Sequence, residues 1–261
     1  MVKSDRSKII KRFSEAAETY SESASLAKKT AERLANALMP WQYSIPEGPV
    51  LEIGCGTGFF TGYLIDMYPG REIEITDASD TMVEICRQEY FNRDHTRFTV
   101  LDAESYQWPE EYYSLITGNF VAHWFRDAGV TLSRISNSLK PGGFMLMSLP
   151  ASESFQQWKK FCVELGIPFT ANPLPDVEQV VINLSMGPFK VDFYEDQATE
   201  HYDSVFDFFR AMKKNGSSTS LTGKSLTTKQ LKLLNRYWLE QNGGRVTVHY
   251  HTAFLAVKRD L

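Results

Sequence analysis

The sequence predicts an α/β fold on a seven-stranded, mainly parallel sheet with an antiparallel edge strand and a helical cap. Three observations carry this. Apolar strands and amphipathic helices alternate over residues 50–149, the rhythm of a parallel sheet covered on both faces. The first strand breaks into Gly54-Cys55-Gly56-Thr57-Gly58, a turn that brings bare backbone N–H groups up to a ligand. The last strand, residues 245–258, is long, β-branched and aromatic. It is most easily placed as an antiparallel edge.

Residues 4–38 read as helix. Ile9, Ile10, Phe13, Ala16, Ala17, Tyr20 and Ala24 recur at three- and four-residue steps, followed by Leu26, Ala27, Ala31, Leu34, Ala35 and Leu38. Pro40, Pro46 and Gly48-Pro49 end this region. Strand 50–53 leads through the glycine turn to helix 59–67. Strand 72–76 ends at Asp77, and helix 80–87 follows with Ser79 or Asp80 as its N-cap. Strand 96–101 ends at Asp102, and strand 113–117 ends near Asn119. Helix 127–139 is expected to close at Lys140-Pro141-Gly142-Gly143, ahead of strand 144–149.

After Pro150 the rhythm changes. Helix 155–165, loops at Pro168, Pro173 and Pro175, and extended segments 190–196 and 198–202 come next. Helix 203–214, capped by Asp203, then runs into a Gly/Ser/Thr loop. Helix 227–242 ends at Gly243-Gly244, before the final strand. The organisation expected is an N-terminal helical cap (1–45) and a ligand-binding core (46–150). A cap insertion with the sixth strand and a basic helical segment follows (151–235). The end of the last helix and the final edge strand complete the sheet (236–261).

The 261 residues are 43% hydrophobic, which supplies a real core, and the net charge of −4 argues against a duplex nucleic-acid partner. Three cysteines, Cys55, Cys86 and Cys162, are an odd number without metal-like spacing, as in a reducing compartment. The segment from Met1 to Arg12 is basic but has no apolar stretch, so it is not a signal peptide. No run reaches the ~18 apolar residues of a membrane span. A soluble, cytoplasmic protein is expected, with no membrane partner.

The glycine turn separates nucleotide classes. A dinucleotide fingerprint needs a third glycine where Phe59 stands, and a phosphate-cradling loop needs a Gly-Lys-Ser/Thr that is missing here. The pattern present is Glu52-x-Gly54-x-Gly56-x-Gly58. Asp77-Ala78-Ser79-Asp80-Thr81-Met82, Asp102-Ala103-Glu104 and Leu139-Lys140-Pro141-Gly142-Gly143 follow at the later strands. In that order these four segments resemble the motifs of the class I S-adenosylmethionine-dependent methyltransferases. The resemblance implies their Rossmann-like fold and S-adenosylmethionine as cofactor. Asp77 would accept both ribose hydroxyls. Asp102 would accept the adenine amino group, and the Ala103 N–H would meet a ring nitrogen. Glu52 and the backbone near Gly54 would face the methionyl part, with Gly56 and Gly58 in the turn. Ala78, Met82, Asn119, Phe120 and Tyr20 complete the expected cofactor site.

The acceptor is read from the flanks. Phe13-x-x-Ala16-Ala17-x-x-Tyr20, the Asn119–Trp124 stretch, Phe209–Gly216 and the terminal Tyr250-His251-x-x-Phe254 resemble the malonyl-[acyl-carrier protein] O-methyltransferases of biotin synthesis. Where that family often has Gln-Trp, this chain has His123-Trp124. The resemblance implies methylation of the free carboxylate of a malonyl thioester on acyl-carrier protein, and it lets Tyr20 close the site. A carboxylate is already ionised near neutral pH and needs no general base, and no obvious base is present.

Residues 205–236 carry Arg210, Lys213, Lys214, Lys224, Lys229, Lys232 and Arg236 against Asp207 alone, a local charge of +6. Such a face would steer an acidic carrier protein, and a solvated helix face is the plain alternative. Arg210 or Lys213 is expected to neutralise the malonyl carboxylate, with Lys214 beside them, while His123 and Trp124 line the acceptor pocket. His123 is as readily a structural histidine. His249 and His251 share a strand face but have no third ligand, so no metal is expected. The competing functions are a class I enzyme for a small carboxylic acid or a quinone-like ring, and a non-catalytic methyltransferase-like binding protein.

Overall fold

The computed structural model describes residues 6–260. The start of the expected first helix, residues 4 and 5, and the first five residues of the basic N-terminal segment lie outside them. Seven strands form one sheet: β1 (Val50–Ile53), β2 (Ile73–Asp77), β3 (Thr96–Val100), β4 (Tyr113–Asn119), β5 (Leu139–Pro150), β6 (Phe189–Tyr202) and β7 (Val246–Arg259). Their order is β3-β2-β1-β4-β5-β7-β6. The first five strands are parallel, and β7 runs antiparallel to both β5 and β6. The chain reverses between β2, β1 and β4, where open α/β sheets bind ligands.

The antiparallel edge is present as a β7–β6 pair. The final strand was expected outermost, but it lies inside and β6 takes the edge. The reason is length and burial. β7 buries Val246, Val248, Ala253, Phe254, Leu255 and Val257, whereas most of β6 faces solvent. A strand apolar on both faces belongs in a sheet interior.

The expected single N-terminal helix is two helices, α1 (Arg6–Ser23) and α2 (Ser25–Leu38), broken at Ala24 with φ −103° and ψ 49°. The halves bury different things. Ala31, Leu34, Ala35 and Leu38 of α2 join the core beside Leu115, Phe144 and Leu146. α1 buries only Ile9, Ala16 and Ala17 and lies across the sheet's ligand edge.

α3 (Thr61–Met67), α4 (Asp80–Glu89) and α5 (Ala128–Ser136) cover the parallel strands. Ser79 caps α4 by accepting the Met82 N–H, and Asp127 caps α5. Pro141-Gly142-Gly143 does not close a helix. It lies within β5, where the pairing with β4 slips between Tyr113 and Leu115, and Gly142 takes φ +73°.

Beyond β5, α6 (Gln156–Glu164), α8 (Val205–Lys214) and α9 (Thr228–Gln241) share a core of Trp158, Phe161, Phe208, Leu234 and Trp238. α8 is capped by Ser204, not Asp203, because the helix begins one residue later than expected. α9 carries a full capping box, Thr227 with Gln230. α7 (Val177–Ser185) was not expected. Its Val-Val-Ile run has a strand-like composition, and tertiary burial of Val177, Val180 and Leu184 makes it a helix. Among the described residues no helix is long and apolar enough to cross a membrane.

Candidate cofactor cleft and acceptor cavity

The cleft opens where β1 runs into the glycine turn. Gly54 takes φ +71°, and a Cβ there would stand 2.6 Å from Val121 Cγ2. The Gly56 N–H points at the next strand end and donates to Asp77 Oδ2 at 3.0 Å. Asp77 Oδ1 accepts the Ser79 N–H at 2.8 Å. Burial pushes the Asp77 carboxyl upward, while these N–H donors and Arg6 pull it back. Ala78, Met82, Ala103, Asn119 and Phe120 line the same cleft, with Ile53 and Leu101 as apolar walls. Ile9, Ile10 and Phe13 of α1 form its outer side, and its volume is about 80 Å³.

Three expected cofactor residues stand elsewhere. Gly58 (φ +96°) packs under Tyr90, whose ring would meet a Cβ at 2.7 Å and whose hydroxyl donates to the Gly58 carbonyl at 3.0 Å. It shapes the turn from behind and does not line the cleft. Glu52 is buried and does not line it either. Its Oε2 accepts the Thr61 hydroxyl at 2.6 Å, and burial pushes its carboxyl up to about 8. Asp102 is taken by Arg6 of α1, with Arg6 Nη2 2.6 Å and Nε 3.0 Å from Oδ1. The same guanidinium donates to the Trp124 carbonyl at 3.0 Å. Arg6 was legible in the sequence only as one charge in a basic stretch. Asn119 has a second duty: Nδ2 donates to the Ala27 carbonyl and Oδ1 accepts the Ser148 hydroxyl, tying α2 to the sheet.

A second cavity, of about 230 Å³, adjoins the first. Phe13, Tyr20, Phe120 and Trp124 line both. Tyr20 stacks on Phe59 at 5.8 Å, and Phe13 meets Tyr20 and Trp124 edge-on at 6.3 and 5.2 Å. Phe120 sits at φ +53°, a strained position for a non-glycine residue where the two cavities meet. The rest of the second cavity's lining includes the aromatic Phe155, Trp158, Phe209 and Tyr250 and the polar Asn172 and Thr219. His123 lines it, and burial pushes this imidazole down to about 3.

The expected cation clamp is misplaced. Arg210, Lys213 and Lys214 are exposed on α8 and line neither cavity, and Arg210 pairs with Asp207. The charge run had been read without knowing which helix face it occupies. The cation that does line the second cavity is Lys224, in the loop between α8 and α9. Asn172 grips this loop from both sides, donating to the Thr219 carbonyl at 2.7 Å and accepting the Leu221 N–H at 2.8 Å. Glu200 also lines the cavity and accepts the hydroxyls of Ser25 and Tyr202. Nothing in the sequence marked Asn172 or Glu200, because their roles come from contacts distant along the chain.

Comparison with known proteins supplies the class. Residues 51–147 match the family described as a methyltransferase domain. A malonyl-[acyl-carrier protein] O-methyltransferase of Magnetococcus marinus is 30% identical, covering 90% of this chain and 86% of its own. The chain belongs to the malonyl-[acyl-carrier protein] O-methyltransferase family. A namesake from Priestia megaterium is 29% identical over 92% of this chain and 93% of its own. The biotin biosynthesis bifunctional protein BioCD of Bordetella avium is 30% identical, and the match covers 94% of this chain and 51% of that protein. Among solved structures, the YcgJ protein of Bacillus subtilis superposes with a TM-score of 0.64 at 17% identity, covering 88% of this chain and 99% of that one. That likeness is one of fold.

The enzyme is an S-adenosylmethionine-dependent O-methyltransferase. The residues present fit that cofactor. A half-buried carboxylate with acceptor capacity, Asp77, suits a ribose diol. Met82, Leu101 and Ala103 offer an apolar slot for a base, and Tyr20 and Phe13 cover the opening toward the second cavity.

Proposed function

We propose that this enzyme methylates the free carboxylate of a malonyl thioester carried by acyl-carrier protein, a step toward biotin. One observation carries this reading: the cavity that shares the wall of Phe13, Tyr20, Phe120 and Trp124 with the cofactor cleft holds one imidazole, His123, whose Nδ1 has no hydrogen-bond partner among the described residues and whose charged form burial disfavours, a poor arrangement for taking a proton from an amine or phenol. A carboxylate acceptor brings its own ionised nucleophile and needs no such base. When bound, S-adenosylmethionine supplies a methyl group on a cationic sulfur, whose carbon–sulfur bond breaks with its electron pair left on sulfur as the carboxylate oxygen bonds to carbon. The protein's part is alignment and exclusion of water. Tyr20, Phe13, Phe120 and Trp124 provide the dry wall where the two cavities meet.

A pH profile tests this. kcat/KM, which reports free-enzyme groups, is expected to stay flat from about pH 6 to about pH 8. A break near the ordinary imidazole value that disappears in His123→Gln would contradict it, because His123 would then be acting as a base.

The relatives' names supply the carrier-protein part, and surface charge supports it. Lys213 and Lys214 end α8, Lys224 stands in the loop at the cavity, and Lys229 and Lys232 open α9, all exposed. An acidic carrier would be steered there, with its pantetheine arm entering past Lys224. Lys213→Ala with Lys214→Ala is expected to lower kcat/KM several-fold for malonyl-carrier protein and to flatten its salt dependence. Malonyl-coenzyme A should be nearly unaffected. Equal losses on both substrates would place these lysines at the acyl group and not at docking. The buried thiols Cys55, Cys86 and Cys162 are free, which supports a reducing, cytoplasmic setting.

A further inference from the structure

The two cavities meet at a shared wall of Phe13, Tyr20, Phe120 and Trp124, where a group passing from cofactor to acceptor would cross. His123 lines the acceptor cavity and not the cofactor cleft. Its ring lies 6.1 Å from Phe120 and 4.9 Å from Trp124, so it sits on the acceptor side of the crossing. Nδ1 is shut from solvent and has no hydrogen-bond partner among the described residues. That leaves Nε2 as the ring nitrogen a ligand can meet. A buried N–H without a partner is rarer and costlier than a bare lone pair, so the ring proton belongs on Nε2.

We propose that His123 donates a hydrogen bond from Nε2–H to the carboxylate of the acceptor and turns its attacking oxygen toward the cofactor cleft. This rests on the carboxylate acceptor proposed above. The cations stand away from the crossing: Arg6 is committed to Asp102, and Lys224 reaches the acceptor cavity from the loop between α8 and α9 and is not part of the wall that the two cavities share. An uncharged donor orients one carboxylate oxygen and leaves the negative charge unpaired, which preserves its nucleophilicity. The ester product is a weaker acceptor than the carboxylate, because hydrogen bonds to ionised groups are the stronger ones. The contact therefore favours reactant over product and promotes release.

The test is His123→Leu and His123→Gln assayed with malonyl thioesters, with S-adenosylmethionine affinity measured in parallel by calorimetry. The leucine variant is expected to lose kcat by on the order of 100-fold, the cost of losing the alignment of the attacking oxygen, with a smaller rise in KM. Glutamine, which keeps an N–H donor, should restore kcat to within a few-fold. Cofactor affinity should hold in both variants. A leucine variant with undiminished kcat, or a glutamine variant no better than leucine, overturns the inference. If the leucine variant fails to bind cofactor, the glutamine variant decides. Wild-type enzyme that leaves every malonyl thioester unmethylated overturns the acceptor reading and the inference together. Wild-type turnover with an unimpaired leucine variant overturns the inference alone.

Discussion

Asp77→Ala is expected to weaken S-adenosylmethionine binding by about 2–3 kcal/mol, roughly 30- to 150-fold, the scale of hydrogen bonds lost to a charged group. The carboxylate is held in place before any ligand arrives. One oxygen faces the Gly56 N–H at 3.0 Å and the other the Ser79 N–H at 2.8 Å. A ribose diol meeting it would find an oriented acceptor at the end of β2, beside the turn that follows β1. Alanine removes the acceptor and frees both N–H groups, so the turn loosens as well. Asp77→Asn keeps the shape and an acceptor oxygen, and should fall between wild type and alanine. Calorimetric affinities that do not change would remove Asp77 from the cofactor site.

Glu52→Gln is expected to stabilise the enzyme, and to do so in a pH-dependent way. The folded pKa of Glu52, about 8, lies above its ordinary 4.5 because the side chain is buried under the glycine turn, with Asp77 adding repulsion. Between those values the unfolded chain has released this proton and the folded chain still holds it. Stability from this group therefore falls as pH rises from about 4.5 to about 8. Glutamine keeps a carbonyl to accept the Thr61 hydroxyl and removes the titration. The gain should be negligible near pH 4.5 and reach about 3–5 kcal/mol near pH 8, or on the order of 10 °C in Tm for a chain of this size. Melts at the two pH values check it, and a pH-independent difference would contradict it. Keeping so costly an acid, one turn from the ligand edge, is what stability conceded to a functional turn looks like.

The parallel core was legible because its signals are local. Gly54, Asp77 and Asp102 each mark a strand end, and period and capping residues place the helices between them. Less legible was which atoms each acid meets. Asp102 reads as a base-binding acid on its strand, but Arg6, 96 residues away, holds it. Gly58 reads as a ligand contact until Tyr90 is folded beneath it. The acceptor side was harder still. Lys213 and Lys224 look alike in a basic run; the packing of α8 through Phe208 against Trp158 and Trp238 turns one outward, and the loop held by Asn172 leaves the other at the cavity. Asn172, Glu200 and Thr219 act through long-range contacts with no periodic or motif signature.

Identifying the methylated product tests the central claim most directly. Incubating the enzyme with labelled S-adenosylmethionine and malonyl-carrier protein is expected to place the label on the malonyl carboxylate. The product should be a methyl ester, released by mild alkali and seen by mass spectrometry on the carrier-bound acyl group. Label that appears on an amine, a phenol or a carbon acceptor, with malonyl thioesters left unchanged, would contradict it.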